Sequence, residues 1–130
     1  MRKGALNEAA VELGCNKVAL GHHKEDIVET MMLALFYEGR FYSFAPVTYL
    51  DRSNLYAIRP LMYVPEKDII SFKKAYKLPV VTSPCPANGY TKREYMKNLL
   101  KTLNKENPNL TDRMFRAVED SDIKGWKKDL

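Results

Sequence analysis

The sequence predicts an α/β fold, in which short strands alternate with amphipathic helices. Three observations support this class. A helical pattern over residues 4–13 precedes a short apolar run at 17–20, an acidic amphipathic segment starts soon after that run, and two β-prone segments follow at 47–50 and 55–58. The chain has 130 residues, of which 45% are hydrophobic, so it is long enough for one domain with its own core.

The first helix is predicted to end at Gly14, which follows the last apolar residue of the pattern. The run at 17–20 by itself fits a strand or a buried helix, but the helical patterns on both sides favour a strand that ends at Gly21. A second helix is predicted from Lys24 to Tyr37, because apolar residues form one wide stripe there and Gly39 follows.

The segments 47–50 and 55–58 flank a cluster of turn-forming residues, which predicts a hairpin. The remaining predicted elements are a helix over 65–76 with a buried apolar face, a strand over 80–82, an irregular loop over 83–90, helices over 91–104 and 110–118, and a polar tail containing Trp126.

Gly21, His22 and His23 stand where the first strand would end, and ligands of open parallel sheets bind beyond such strand ends. Asp26 follows His22 at i+4, so the two side chains can meet if the helix begins early enough, and Asp26 with Glu29 can hold a divalent cation. A second interpretation is equally open: the histidines cap the helix, and the acidic residues complement its dipole.

The two cysteines are interpreted differently. Cys15 follows a helix end and is predicted to be a small buried residue, whereas Cys85 lies in the irregular loop, where a thiolate can be presented. A single cysteine is more often structural than functional.

Lys97, Lys101 and Lys105 repeat at i+4 along one face of a predicted helix, and the formal net charge is +5. Such a row can follow a nucleic-acid backbone, although a solvated helix face is the commoner explanation. The sequence contains no apolar stretch of the roughly 20 residues that a membrane span needs, so a cytoplasmic protein without membrane contact is expected.

Three stretches in this order resemble one family: RKGALNEAAVELGCNKVALGHHKEDIVET, IRPLMYVPEKDI and PVVTSPCPANGYTKRE. They are similar to the C-terminal half of the PP-loop ATP pyrophosphatases that thiolate tRNA, closest to the tRNA 2-thiocytidine synthetase group. The resemblance implies a doubly wound parallel sheet of the adenine nucleotide alpha-hydrolase type with flanking helices. Residues 1–82 would belong to its α/β domain, and 83–130 would form a cysteine loop and a basic helical segment.

The resemblance implies an enzyme that uses ATP and Mg2+ to adenylate the C2 oxygen of a tRNA cytidine and then replaces AMP with sulfur. The family cradles the ATP phosphates in an S-G-G-x-D-S loop, which this sequence lacks. Its C-x-x-C pair, which helps to hold a [4Fe-4S] cluster, lies upstream of the part matched by Met1. We therefore expect a C-terminal piece of a longer protein that is inactive alone and binds none of these cofactors stably.

The family motifs assign expected roles to residues of this chain. The G-H-H-x-x-D motif and the arginine of the I-R-P-L motif imply two catalytic residues, Asp26 and Arg59, and four nucleotide-binding residues, Gly21, His22, His23 and Glu29. Cys85 matches the region of the third cluster cysteine, although the usual pattern there is P-C-x-x-C.

The expected partners are tRNA and a sulfur donor protein or sulfide. Self-association of the chain is also expected, because part of the family's sheet would be missing and a sheet edge would be exposed. Two other functions stay open: a non-enzymatic RNA-binding or scaffold module, and a PP-loop enzyme that forms lysidine or thiouridine.

Overall fold

The computed structural model describes residues 2–80 and 91–126 and has the predicted α/β architecture. The elements described are α1 (Arg2–Glu12), β1 (Lys17–Ala19), α2 (Lys24–Leu33), a π-helical turn (Ala34–Glu38), β2 (Val47–Leu50), β3 (Leu55–Ile58), α3 (Glu66–Tyr76), α4 (Lys92–Glu106) and α5 (Leu110–Glu119). None of the helices in these ranges is long and apolar enough to cross a bilayer.

The three strands form one mixed sheet in the order β1-β3-β2. β1 is parallel to β3, with Val18 opposite Ala57, and the chain between them passes through α2. β2 is antiparallel to β3, with Thr48 opposite the same Ala57, so the predicted hairpin is confirmed. The parallel pair matters for function, because it brings the carboxyl ends of β1 and β3 to the same edge of the sheet.

The core consists of two clusters. Ala10 of α1 packs with Val18 and Leu55 on one face of the sheet. The larger cluster joins α2, α4 and α5 with the loops around them, and its buried members are Ile27, Val28, Met31, Met32, Met62, Met96, Leu100, Phe115, Val118 and Trp126. The predicted division at residue 82 falls in a part of the chain outside the described residues, so it stays a prediction.

Trp126 corrects the prediction of a polar tail. It is only 5% exposed, and its indole N–H donates to the carbonyl oxygen of Phe44 at 2.7 Å. Because the one polar atom of the ring is bonded, the rest of the ring can pack in the core without an unsatisfied donor.

The second helix is also shorter than predicted. α2 ends at Leu33 and continues as the π-helical turn, which Gly39 closes with a φ of 65°. A π-helical turn changes the direction of the side chains that follow it. The predicted apolar stripe is accordingly buried as far as Ala34, whereas Phe36 is 57% exposed.

The predicted buried face of α3 is wrong, because none of its residues is buried. Phe72 is 55% exposed and Tyr76 is 68% exposed, and their rings contact each other. Helical periodicity shows which side of a helix is apolar but not whether another element covers it. Val80, predicted to begin a strand, lies outside any strand, and residues 81–82 are outside the described part of the chain.

Candidate functional site

The two family motifs meet at one edge of the sheet. Leu20, directly after β1, donates its backbone N–H to the carbonyl oxygen of Ile58 at 2.8 Å, so β1 and β3 are still paired where they end. Gly21, His22 and His23 follow β1, and Arg59 follows β3. The site therefore lies at the carboxyl ends of two parallel strands, as the sequence predicted for the glycine-histidine turn.

His22 is held by Arg59 and Phe44. Arg59 Nε donates to His22 Nδ1 at 3.0 Å, and the imidazole stacks on the Phe44 ring with centroids 4.1 Å apart and planes inclined by 9°. Because Nδ1 accepts this hydrogen bond, it carries no proton in this arrangement. The orientation of His22 thus depends on a residue 37 positions away.

Arg59 is a buried cation, 8% exposed, with neutral neighbours. Besides His22 it donates through Nη1 to the carbonyl oxygen of Ala45 at 2.7 Å and to Thr48 Oγ1 at 3.3 Å, and its guanidinium lies 4.9 Å from the centroid of Phe44. Burial lowers the pKa of Arg59, although a guanidinium stays charged at any physiological pH. No carboxylate lies within 4 Å of Arg59 in the described ranges.

His23, not His22, meets Asp26. Asp26 Oδ2 accepts a hydrogen bond from the backbone N–H of His23 at 3.0 Å and lies 3.4 Å from His23 Nε2. The predicted i+4 contact needs both residues inside the helix, but α2 begins at Lys24, so His22 lies before the first turn. His23 is the N-cap residue of α2, and Asp26 bonds back to its N–H, so this stretch does start a helix; the roles of His22, His23 and Asp26 toward a ligand stay predictions.

Three carboxylates surround the His23 ring. Glu66 Oε2 lies 3.2 Å from Nε2, and Glu25 Oε1 lies 3.6 Å from Nδ1, in addition to Asp26. The neighbouring Glu25 carboxylate raises the pKa of His23, burial opposes this effect, and the charges of Asp26 and Glu66 add to it. His23 consequently keeps a positive charge to a higher pH than an exposed histidine does.

This turn does not fit a phosphate group. The first two backbone N–H groups that an anion would use are occupied, since His23 donates to Asp26 and Lys24 donates to the carbonyl oxygen of Val64 at 3.1 Å. Nearby carboxylates would also repel a phosphate. They can instead accept hydrogen bonds from the hydroxyl groups of a ribose or from the amino group of a base.

Glu29 lies beneath the site in the core. Its side chain is 1% exposed, its Oε2 has no hydrogen-bond partner among the described residues, and its Oε1 lies 3.5 Å from Arg93 Nη1. Burial raises the pKa of Glu29 to about 7; Asp26 adds to this shift, while Lys97 and Arg93 oppose it. Glu29 is thus a buried carboxyl group that is partly protonated at neutral pH.

The predicted divalent-cation pair is not supported. Within residues 2–80 and 91–126, no group of three or more His, Cys, Asp or Glu side chains is placed to hold a metal ion. Asp26 is engaged by His23, and the raised pKa of Glu29 makes it a poor ligand for Mg2+. These residues therefore do not fit a magnesium site.

The cysteine predictions have different outcomes. Cys15 is exposed, which contradicts its predicted burial. Its backbone N–H donates to Ala10 in the turn that ends α1, and the chain there has not yet entered the sheet. Cys85 lies outside the described residues, so its role as a cluster ligand stays a prediction.

Sequence reasoning missed Phe44 and Arg93. Phe44 contacts His22 and Arg59 from a loop that had no predicted function. Arg93 Nη2 donates to Thr30 Oγ1 at 2.8 Å and thereby ties the start of α4 to α2. Arg93 belongs to the third stretch of the family resemblance and to the basic segment after Thr91, which caps α4 by accepting from the N–H of Glu94, but it was given no place in the candidate site.

Comparison with known proteins identifies relatives over most of the chain. Residues 1–104 match the family model of the PP-loop domain. The tRNA-cytidine(32) 2-sulfurtransferase of Geotalea uraniireducens (strain Rf4) is 42% identical over 120 residues, covering 91% of this chain and 48% of the relative. The protein of that name from Alcanivorax borkumensis (strain ATCC 700651 / DSM 11573 / NCIMB 13689 / SK2) is 40% identical, covering 92% of this chain and 42% of its own length. The chain thus spans about half the length of these curated relatives.

A solved structure has a similar fold. The U34-tRNA thiolase NcsA from Methanococcus maripaludis, determined with its [4Fe-4S] cluster, superposes with a TM-score of 0.68 at 21% identity over 89% of this chain and 39% of that one. At this level of identity the similarity concerns the fold. The family match over residues 1–104 carries the classification, and the chain belongs to the PP-loop domain family.

Proposed function

We propose that this chain carries part of the active site of an ATP-dependent tRNA sulfurtransferase. The enzyme would adenylate the C2 oxygen of a tRNA cytidine and then replace AMP with sulfur to give 2-thiocytidine. Membership of the PP-loop family and the names of relatives that are 40–42% identical support the proposal. The observation that carries it is the 3.0 Å contact between His22 and Arg59, because it joins two family motifs at the strand ends.

Arg59 is proposed to contact the reacting phosphate. Its hydrogen bonds go to neutral acceptors, and its Nη2 has no hydrogen-bond partner among the described residues. A buried cation without a carboxylate is costly, so an anionic ligand is the partner that suits it. ATP supplies the adenylyl group that turns the cytidine oxygen into a leaving group, and Arg59 would stabilise the negative charge on the phosphorus oxygens.

Gly21, His22, His23 and Asp26 are proposed to contact the sugar or base of the nucleotide. The carboxylates near His23 favour ligand hydroxyl and amino groups over phosphates. Asp26 contacts both the backbone N–H and the imidazole ring of His23. The negative charge of Asp26 would therefore orient the His23 ring toward the nucleotide, besides capping α2. Glu29 is proposed to support this set from below, through Arg93.

The remaining proposals concern cofactors, partners and location. Cys85 would be one ligand of an iron-sulfur cluster, and a sulfur donor protein or sulfide would supply the sulfur. Because the sequence lacks the S-G-G-x-D-S loop, the chain alone would not hydrolyse ATP to AMP and pyrophosphate. We place the protein in the cytoplasm, where tRNA is modified.

The test is mass spectrometry of tRNA nucleosides from a strain in which the gene is deleted. Loss of 2-thiocytidine is the expected result. Restoring the gene with Asp26→Asn should leave 2-thiocytidine below about a tenth of the normal level, since the asparagine keeps a capping oxygen but loses the charge. Asp51→Asn is the matched control, because Asp51 lies exposed in the β2–β3 turn, and it should restore the nucleoside fully.

Two other nucleoside profiles of the deletion strain would contradict the assignment. Persistent 2-thiocytidine with loss of a thiouridine or of lysidine would identify a PP-loop enzyme with another substrate. A tRNA nucleoside profile without any change would favour a non-enzymatic RNA-binding module.

Self-association is also proposed, on the basis of the β1 edge. Among the described residues β1 pairs only with β3, so no described strand covers the other edge of β1. Exposed strand edges tend to pair with another chain. Light scattering over a dilution series should show a mass above 15.0 kDa that falls on dilution. A constant mass of 15.0 kDa at every concentration would contradict this proposal.

A further inference from the structure

An open cleft of about 680 Å³ lies between α2, α3, α4 and α5, next to the glycine-histidine turn. We call it the basic cleft, after the five lysines that line it: Lys24, Lys67, Lys97, Lys101 and Lys105. Its acidic lining residues are Glu25, Glu29, Glu66 and Asp112. Glu25 and Glu66 line the basic cleft and also contact His23, so one end of the cleft lies beside the proposed active site.

Most of the acidic groups in the basic cleft are already neutralised. Lys24 pairs with Asp112 at 2.7 Å, and Lys97 pairs with Glu66 at 2.8 Å. Glu25 accepts a hydrogen bond from the backbone N–H of Glu66 at 2.9 Å and contacts His23. The carboxylates therefore leave little uncompensated negative charge for a ligand to meet.

Three lysines keep their charge uncompensated. Lys67, Lys101 and Lys105 are exposed and make no ion pair with any residue in the described ranges. Lys101 and Lys105 lie one helical turn apart on α4, about 6 Å along its axis, and Lys67 faces them from α3. Mobile ammonium groups on opposite walls of a groove suit a chain of negative charges that runs between them.

The floor of the basic cleft is apolar. Ile70 is 44% exposed there, beside Pro65 and the buried Leu100. Asn104 donates to Thr111 Oγ1 at 2.8 Å and fixes α4 against α5, so one wall is rigid. Cationic walls over an apolar floor match a nucleic-acid strand, whose phosphates are charged and whose sugars and bases have apolar faces.

We infer that the basic cleft holds the phosphate backbone of an RNA strand and guides it toward the glycine-histidine turn. The inference rests on the proposed function, which makes tRNA the substrate. Lys67, Lys101 and Lys105 would contact the RNA phosphates. Lys97 would not contact them directly, because it already donates to Glu66 Oε2 at 2.8 Å.

The test measures binding of an unmodified tRNA transcript to the 130-residue chain by fluorescence anisotropy between about 50 and 200 mM salt. Lys101→Glu combined with Lys105→Glu should weaken binding at least about tenfold and flatten the salt dependence by about 1.4 in log–log slope, because two phosphate contacts are lost. The matched control is Lys73→Glu with Lys74→Glu: these two lysines are exposed on α3 and do not line the basic cleft. It should change binding less than about threefold.

Two results would overturn the inference: equal weakening by both pairs of substitutions, and equal binding of tRNA and polyglutamate by the unaltered chain. Circular dichroism of each variant, with a Lys101→Gln, Lys105→Gln version beside it, separates lost binding from lost folding. The outcome is independent of the nucleoside measurement. Unchanged 2-thiocytidine in the deletion strain would contradict the proposed function. An unchanged tRNA affinity of the Lys101→Glu, Lys105→Glu variant would contradict only the assignment of the basic cleft.

Discussion

Replacement of Glu29 by glutamine is expected to raise the free energy of unfolding by about 2–3 kcal/mol near pH 8.5 and to leave it nearly unchanged near pH 4.5. Burial raises the pKa of Glu29 to about 7 in the folded chain, whereas an unfolded chain has the ordinary value of 4.5. The folded state therefore holds the proton more tightly. The stability that Glu29 contributes is complete below the unfolded pKa and is lost as the pH rises through about 7.

Glutamine avoids this loss because it carries no charge to bury. A difference of about 2.5 pKa units corresponds to about 3 kcal/mol, and the loss of the weak contact with Arg93 at 3.5 Å reduces the gain. Urea unfolding at the two pH values measures the effect. Destabilisation by Glu29→Gln near pH 8.5 would contradict the burial argument.

Glu25→Gln is the matched control, because its expected sign is opposite. Burial alone would raise the pKa of Glu25, but the contact with His23 and the hydrogen bond from the N–H of Glu66 outweigh it, so the pKa is lowered. The stability that Glu25 contributes is present above its unfolded pKa and is lost as the pH falls through the lower folded value. Glu25→Gln should therefore destabilise the chain near pH 6, where His23 is charged and Glu29→Gln already stabilises the chain.

Local features of the fold could be predicted from the sequence. The hairpin over 47–58 was predicted because its turn-forming residues are adjacent, and the structure has the same strand bounds. Gly39 was predicted to stop the second helix, and its φ of 65° closes the π-helical turn. In both cases neighbouring residues determine the conformation through their own backbone preferences.

Contacts between distant segments could not be predicted in this way. Burial of Trp126 depends on the carbonyl oxygen of Phe44, 82 positions away. The apolar side of α3 is exposed because no described element packs over it. The same holds in the candidate site. Spacing suggested His22 with Asp26, but the start of α2 at Lys24 makes His23 the partner.

The family resemblance added what spacing could not. It grouped the turn at Gly21 with Arg59, and the structure places Arg59 on His22. It gave no information about Glu29 as a buried acid, because a motif match names a residue without its surroundings. The 1% exposure of Glu29 and the rise of its pKa to about 7 depend on its burial and on charges that the fold brings near it, among them Asp26 and Arg93.

Arg59→Ala is expected to lower the free energy of unfolding by about 2–3 kcal/mol. The substitution removes the donor groups for His22 Nδ1 and for the buried carbonyl oxygen of Ala45, and it leaves a gap beside Phe44. Relief of the cost of burying the guanidinium offsets part of this loss. Urea unfolding at neutral pH measures the change, and Arg52→Ala, at an exposed turn position, should stay within about 0.5 kcal/mol.

Arg59→Lys separates structural support from chemistry. Lysine keeps the charge but carries its three N–H donors on one nitrogen, so it cannot reproduce the planar guanidinium in which Nε reaches His22 and Nη1 reaches Ala45. We expect Arg59→Lys to recover at least half of the lost stability while 2-thiocytidine in the complemented strain stays below about a tenth of normal. If stability and thiolation recovered in parallel, Arg59 would be a positioning residue for His22 and not a contact of the reacting phosphate. Destabilisation by Arg59→Ala no greater than that by Arg52→Ala would contradict the structural part of the prediction.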